Sequence, residues 1–242
     1  VALHFLVESS TDAAVGDVVS LTGAEAKHAA VVRRLRVGET VTVGDGTGVW
    51  LTGVAEDVTP SRVDVRVDER TERAAPSPRI VLVQALAKGD RDELAVQAAC
   101  ELGVDEIVPW QAARSVSRWE GPKAVKGRER WATIVREAAK QAHRAWVPAV
   151  AAPVSTKQLV ERVSSQRVLL LDPTASVRLS EIRPDGRDLV LVVGPEGGIS
   201  EEELTRLTDA GAERVLLGDT VLRTSTAGPA AIAVLSVALD RW

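Results

Sequence analysis

One acid and one proline stand among three glycines in Gly194-Pro195-Glu196-Gly197-Gly198, between the apolar run Leu189 to Val193 and a helix start at Ser200. Such glycines let a ligand approach the main chain and leave N–H groups exposed, while Pro195 stiffens the turn and Glu196 adds a fixed acceptor. Two further segments share this character: Leu216-Leu217-Gly218-Asp219-Thr220, and Val221-Leu222-Arg223-Thr224-Ser225-Thr226-Ala227 leading into the last helix. A tight turn without a ligand explains any one of them. Three at neighbouring strand ends predict one pocket, because ligands of open α/β sheets collect outside the carboxyl ends of the strands. The pattern is neither the dinucleotide fingerprint nor a Walker loop, since it has no G-x-G-x-x-G after a first strand and no phosphate-loop lysine. His143 and Cys100 lack an oriented partner for nucleophilic catalysis. His4, His28 and His143 with the single Cys100 do not form a metal spacing, so no metal is expected.

Charge supplies the second clue. The 242-residue chain is acidic overall, with a net charge of -4, yet its cations are not evenly spread. Residues 114, 118, 123, 126, 128, 130, 136, 140 and 144 are Lys or Arg, against Glu120, Glu129 and Glu137 in the same stretch. Lys27, Arg33, Arg34 and Arg36 form a second basic run around His28 with no acid in it. A solvated helix face accounts for either run alone, whereas two basic islands in an acidic protein point to a polyanionic partner. One cysteine excludes an internal disulfide framework and suits a reducing cytoplasm. The first residues lack the basic and apolar regions of a secretory leader, and the longest nearly apolar stretch, Ala227 to Leu239, is too short to span a membrane. No membrane association is expected.

These residues must be held by elements of two kinds. Up to about residue 73 the pattern is mostly β with one helix: strands at Leu3 to Val7, Thr40 to Val43, Val49 to Val58 and Arg62 to Val67, and a helix from a Thr22 cap through Leu35. Gly44-Asp45-Gly46-Thr47-Gly48 suits a hairpin loop better than a phosphate cradle, because no helix or lysine follows it. Ala74 to Pro78 predicts a stiff connection between domains. From Arg79 strands alternate with helices, which predicts a mostly parallel sheet with helices on both faces. Strands are expected at Ile80 to Gln84, Glu106 to Pro109, Val168 to Leu171, Leu189 to Val193 and Arg214 to Leu217. Expected helices are one capped by Asp90 with Glu93 and running to Leu102, a basic one ending near Trp146, one from Ser155, one capped by Ser200 with Glu203, and a last one with Pro229 in its first turn. The last helix is apolar nearly all round, so more than one neighbour must cover it: either it threads the domain interior, or the sheet covers one face and a second subunit, the favoured partner, the other.

The chain resembles the RsmE group of SPOUT-class, trefoil-knot RNA methyltransferases, which modify N3 of a uridine in 16S ribosomal RNA. The resemblance rests on His28 with Leu35-Arg36, Lys88-Gly89-Asp90, Glu101-Leu102-Gly103-Val104, Ala138-Ala139-Lys140-Gln141 with Arg144, Gly194 to Gly198, and Leu222-Arg223-Thr224 with Thr226-Ala227. It implies a PUA-like RNA-binding β-barrel over 1–73, a linker at 74–78, and an α/β methyltransferase domain over 79–242 with a knot in its last third. It further implies a homodimer acting on 16S ribosomal RNA in the small ribosomal subunit, with S-adenosylmethionine as cofactor. The cofactor site it implies is Leu170, Leu171, Gly194, Pro195, Glu196, Gly197, Gly198, Leu216, Leu217, Gly218, Leu222, Arg223, Thr224, Thr226 and Ala227. The family's LRTETA motif has a glutamate where this chain has Ser225, so Ser225 is assigned no role.

Methylating uracil N3 requires loss of its proton as the sulfonium carbon approaches. The candidates for stabilising the resulting charge are Arg144 and Arg223, and Glu196 is the candidate for orientation or proton transfer. His28, Arg33, Arg34, Arg36, Lys88, Arg114, Arg118, Lys123, Lys126, Arg128 and Lys140 are the expected RNA contacts. Ribose 2'-O methylation and a non-catalytic role in ribosome assembly are the alternatives.

Overall fold

The computed structural model describes residues 2–7 and 12–242. Two compact units result: one is the chain up to Ala75 together with Ala139–Val147, the other Pro76–Ala138 with Pro148–Trp242. A boundary drawn along the sequence at 74–78 does not contain the return of 139–147 to the first unit.

In the first unit, β1 (Leu3–Leu6), β2 (Val18–Thr22), β3 (Thr40–Gly44), β4 (Val49–Val58) and β5 (Arg62–Glu72) form a sheet in the order β1-β3-β4-β5-β2. It is antiparallel except where β1 runs parallel to β3. β1 and β2 end the sheet, which is the PUA-like half-barrel of the expected β-domain. Its strands alternate: Val63, Val65 and Val67 of β5 point into a core with Phe5, Leu21, Val41, Val43 and Leu51. The 44–48 hairpin is organised from within, since the Asp45 carboxylate accepts from Thr47 N at 2.7 Å and from Thr47 Oγ1 at 2.6 Å.

The helix expected from Thr22 to Leu35 is broken. Helix α1 (Gly23–Lys27) passes into a π-turn, His28–Val32, closed by Arg33 N donating to His28 O at 2.9 Å, and Arg34 stops it with a left-handed φ of 55°. Thr22 occupies the cap position without a capping hydrogen bond.

The second unit is built on an all-parallel sheet of β6 (Ile80–Ala85), β7 (Glu106–Gln111), β8 (Ala149–Val150), β9 (Val154–Ser155), β10 (Arg167–Leu171), β11 (Leu189–Val193) and β12 (Glu213–Val215). Its order is β12-β10-β11-β6-β7-β8, with β9 also on β7. Both faces are covered, as continuous apolar strands require. Helices α4 (Thr156–Arg162) and α5 (Glu201–Asp209) bury Leu159, Leu204 and Leu207 against Val81, Val83, Val168 and Val190. On the other face, α2 (Arg91–Glu101) and α6 (Thr224–Ala238) pack on each other and on β6. Gly228 of α6 lies so close to Leu82 that an added Cβ would meet its Cδ1 at 3.0 Å. The chain adds β7 and β8 on one side of β6 and returns to place β11, β10 and β12 on the other, so the switch falls between β6 and β11.

Three local expectations are corrected. Asp90 makes no side-chain cap; Asp92 takes that place in effect, its carboxylate accepting from Ala87 N and Glu93 N. The basic helix α3 (Pro122–Gln141) ends well before Trp146, because His143 turns left-handed at φ 54° and Arg144 N donates back to Ala139 O at 2.9 Å. Pro229 is inside α6 rather than in its first turn, because the helix already starts at Thr224. Among the described residues no helix is long and apolar enough to cross a membrane, and no cluster of His, Cys, Asp and Glu is suited to hold a metal.

Candidate functional site

A cavity of about 610 Å³ opens at the carboxyl ends of β10, β11 and β12. Its first wall is the glycine turn after β11. There Gly198 N donates to Pro195 O at 2.8 Å, and Ser200 starts α5 with a reciprocal cap to Glu203. Arg114 holds this turn from outside, Nη1 donating to Gly197 O at 2.9 Å. Glu196 is fixed by Lys88 N at 3.0 Å and Arg91 Nη1 at 2.9 Å. Burial alone would raise the pKa of Glu196. The hydrogen bonds from its own N–H, from Lys88 N–H and from Arg91 outweigh that and lower it, so it is an ionised, weakly basic acceptor.

The second wall is the segment from Leu216 to Arg223. Leu216 is tied by its main chain to Val177 and Leu179, but the main-chain N–H and C=O groups of residues 217–222 find no hydrogen-bond partner among the described residues. Most unpaired main-chain groups of a folded chain are met by water or a ligand. Thr224 closes this wall onto the first, its hydroxyl donating to Gly194 O at 2.9 Å. The third wall follows β10: Asp172, Pro173 and Thr174. Asp172 is almost fully buried, and its burial is outweighed by Thr174 N, Thr174 Oγ1 and Arg214, which together lower its pKa.

Of the residues expected at the cofactor, Leu171, Gly194, Pro195, Glu196, Gly198, Leu216, Leu217, Gly218, Leu222, Arg223, Thr224 and Ala227 line the cavity. Leu170, Gly197 and Thr226 do not: Leu170 is wholly inside the sheet, and Gly197 presents its carbonyl to Arg114. The lining is apolar where Leu171, Leu216, Leu217 and Leu222 stand, sets Asp172, Glu196 and Glu201 against Arg91 and Arg223, and includes the unpaired main-chain groups of 217–222. That donor set fits a purine-bearing, cationic small molecule.

Residues 74–236 match the RNA methyltransferase domain family, and residues 21–68 match the RNA methyltransferase PUA domain. The chain is 43% identical to the ribosomal RNA small subunit methyltransferase E of Mycobacterium bovis, over all of this chain and 94% of that one. The chain belongs to the ribosomal RNA small subunit methyltransferase E family. A crystal structure of the family's protein from Neisseria gonorrhoeae, bound to S-adenosyl methionine, superposes with a TM-score of 0.88 at 30% identity, covering 98% of this chain and 97% of the other. A putative methyltransferase of Legionella pneumophila in complex with the same cofactor gives 0.87 at 31% identity, with 98% of each chain covered.

Within this family member the basic residues sort by partner. Arg33, Arg34 and Arg36 of the first unit, and Lys88, Arg118, Lys123 and Lys126 of the second, are exposed and their side chains make no ion pair among the described residues. His28 is half-buried, its ring edge-on to Phe5. Three expected RNA contacts are otherwise engaged. Lys140 is buried and pairs with Glu25 at 2.8 Å, Arg128 Nε donates to Val150 O at 2.9 Å, and Arg114 braces the glycine turn. Arg144 falls in the first unit and does not line the cavity, whereas Arg223 does. Arg91, Asp172, Thr174 and Glu201 line it without having been expected; no glycine or motif marks them in the sequence.

Proposed function

We propose that this chain transfers the methyl group of S-adenosylmethionine to N3 of a uridine in 16S ribosomal RNA of the small ribosomal subunit, in the cytoplasm. Family membership makes it an RNA methyltransferase; the target atom and the residue roles are the finer assignment. The observation that carries it is the cavity itself: three strand-end loops converge, one of them offering main-chain groups from 217 to 222 that pair with no other main-chain group among the described residues. Leu171, Leu216, Leu217 and Leu222 would enclose the adenine, and the loop amides would pair with its edge. When bound, the cofactor supplies an electrophilic methyl on a sulfonium, so no metal is needed.

The protein's own task is to favour the uracil anion and align it. Arg223 stands at the rim with no ion pair among the described residues, free to meet charge growing on a flanking carbonyl oxygen. Glu196 is too firmly hydrogen-bonded to act as the base; it orients Arg91 and the Lys88 segment, and water takes the N3 proton. N3 lies on the Watson-Crick edge, so the uridine must be unpaired or swung out, with flanking phosphates held by Arg33, Arg34, Arg36, Arg118, Lys123 and Lys126. The exposed Val237 near the end of the otherwise apolar α6 supports a homodimer. Main-chain bonds between Leu216 and the Val177–Leu179 segment support a knot in the last third.

The test is nucleoside mass spectrometry of ribosomal RNA from cells with and without the protein. Loss of a base-methylated uridine is the expected result. Loss of a ribose-methylated nucleoside indicates 2'-O transfer, and an unchanged profile with no cofactor binding in calorimetry leaves an assembly factor.

A further inference from the structure

Gln84 is the last but one residue of β6 and is fully buried, an unusual place for a primary amide. Its Nε2 donates to Thr224 Oγ1 at 2.9 Å and to Ala85 O at 3.2 Å, while its Oε1 has no partner. Thr224 Oγ1 in turn donates to Gly194 O at 2.9 Å. Three segments distant in sequence are thereby joined: the core strand, the first residue of α6, and the first residue of the glycine turn.

The chain of bonds has a fixed direction. A hydroxyl carries one proton, so while Thr224 donates it to the Gly194 carbonyl it can only accept from its other neighbour. The Gln84 amide N–H₂ can only donate, and so it dictates that direction. We propose that Gln84 is a positioning residue for cofactor binding: it polarises Thr224 so that the glycine turn and the α6 entry are locked together in their ligand-ready arrangement. This rests on the methyl-transfer reading of the cavity. Gln84 does not line the cavity and touches no ligand there; it acts through Thr224, which does line it. The unpartnered Oε1 is consistent with this, because a buried amide that leaves one end unsatisfied costs stability and is retained for what the other end does.

An isosteric swap separates direction from packing. Gln84→Glu keeps the shape, but an ionised carboxylate only accepts, so Thr224 must turn its proton inward and release Gly194. A protonated carboxyl can donate, which restores the original direction. Burial raises the pKa of such an acid, so the neutral form persists at mildly acidic pH and is lost as pH rises.

The experiment is calorimetric titration of S-adenosylmethionine into wild type, Gln84→Glu and Gln84→Leu between about pH 5.5 and 8.5, with thermal melting as the control for folding. If the turn is ligand-ready in only a tenth of molecules, apparent affinity falls about tenfold. Gln84→Leu is expected to show that loss at every pH. Gln84→Glu is expected to show it at the alkaline end and to recover toward wild type at the acid end. Should Gln84→Leu not fold, Gln84→Met removes the amide donor at nearly the same length and is expected to show the same loss at every pH. Wild-type affinity in folded Gln84→Leu, or a Gln84→Glu affinity that does not change with pH, overturns the proposal while leaving the cofactor site intact. Absence of binding by wild type overturns both.

Discussion

Gly53 of the first unit and Gly218 of the second use a missing side chain for opposite ends. In the antiparallel sheet Gly53 sits under β5, where a Cβ would lie 2.2 Å from Arg66 O, and Gly48 sits against Arg73 O and the Trp146 ring. There the missing side chain lets strands close on each other. In the parallel unit Gly218 has nothing within 4 Å of where a Cβ would be, and it borders the cavity. There the missing side chain leaves room for something that is not protein. Gly194 stands between these cases, bordering the cavity while pressed on Ile199, whose Cγ1 and N would lie 2.8 and 3.0 Å from an added Cβ. The first unit is therefore a packed platform, and the second is a scaffold whose strand-end loops form the cavity.

The sharpest way to break this contrast is to add one methyl group in each unit. Gly53→Ala forces a β-carbon into a main-chain oxygen and is expected to destabilise the protein by about 3 kcal/mol or more, read as a lowered denaturation midpoint, with cofactor affinity little changed. Gly194→Ala is the mirror case: about a thirtyfold loss of cofactor affinity from the displaced turn, with a much smaller shift in the midpoint. If both variants lost stability alike and bound cofactor alike, the division of labour would be wrong.

A second test uses pH and concerns the platform alone. His4 is buried, stacks on Trp50 with ring centroids 4.2 Å apart, and has Nδ1 2.9 Å from Thr42 Oγ1, while its Nε2 has no partner. Burial, then the charges of His143, Arg73 and Lys140, lower its pKa to about 4. A lowered histidine pKa favours the neutral ring, so its stabilisation is complete above the ordinary value of 6.5 and is lost as pH falls toward about 4. That loss amounts to about 3 kcal/mol between those limits. Urea denaturation of wild type and His4→Phe checks it: the difference between them should shrink across this range, and parallel curves would refute the assignment.

The parts of this arrangement that sequence reveals are those set by neighbours along the chain. The run Leu189 to Val193, the helix start at Ser155, the cap pair Ser200 with Glu203, and the three loops converging on one cavity all follow from local periodicity and turn chemistry. Hidden were the choices made by partners far away. Lys140 reads as a free cation in a basic helix until Glu25, 115 residues earlier, meets it. Arg114 looks like a phosphate contact until its guanidinium is found donating a hydrogen bond to the Gly197 carbonyl. Asp172 and Arg91 carry no glycine signal and enter the cavity only because β10 and α2 end beside it. The start of α6 was misjudged for the same reason: Pro229 is a strong local mark, but Thr224, bonded to Gly194, anchors the helix earlier.

The smallest effect expected comes from the residue that sequence made most conspicuous. Glu196 is the single acid in the glycine turn, and a base at that point would contribute about 10²- to 10⁴-fold to the rate. The structure instead surrounds its carboxylate with donors and lowers its pKa, so the ionised form and its pairing with Arg91 exist above the ordinary carboxylate range and are lost as pH falls through the lowered value. Glu196→Gln keeps an oxygen for Lys88 N and Arg91 but removes the charge. Methyl transfer measured at saturating RNA should therefore fall less than about tenfold in kcat, below the range a general base supplies, with the change appearing in KM for the cofactor. The acid side of the wild-type and variant pH–rate profiles should superimpose above about pH 5, since an ionised carboxylate that takes no proton adds no titration there. A drop of a hundredfold or more with an altered acid limb would return Glu196 to the role of base and make the glycine turn chemical as well as positional.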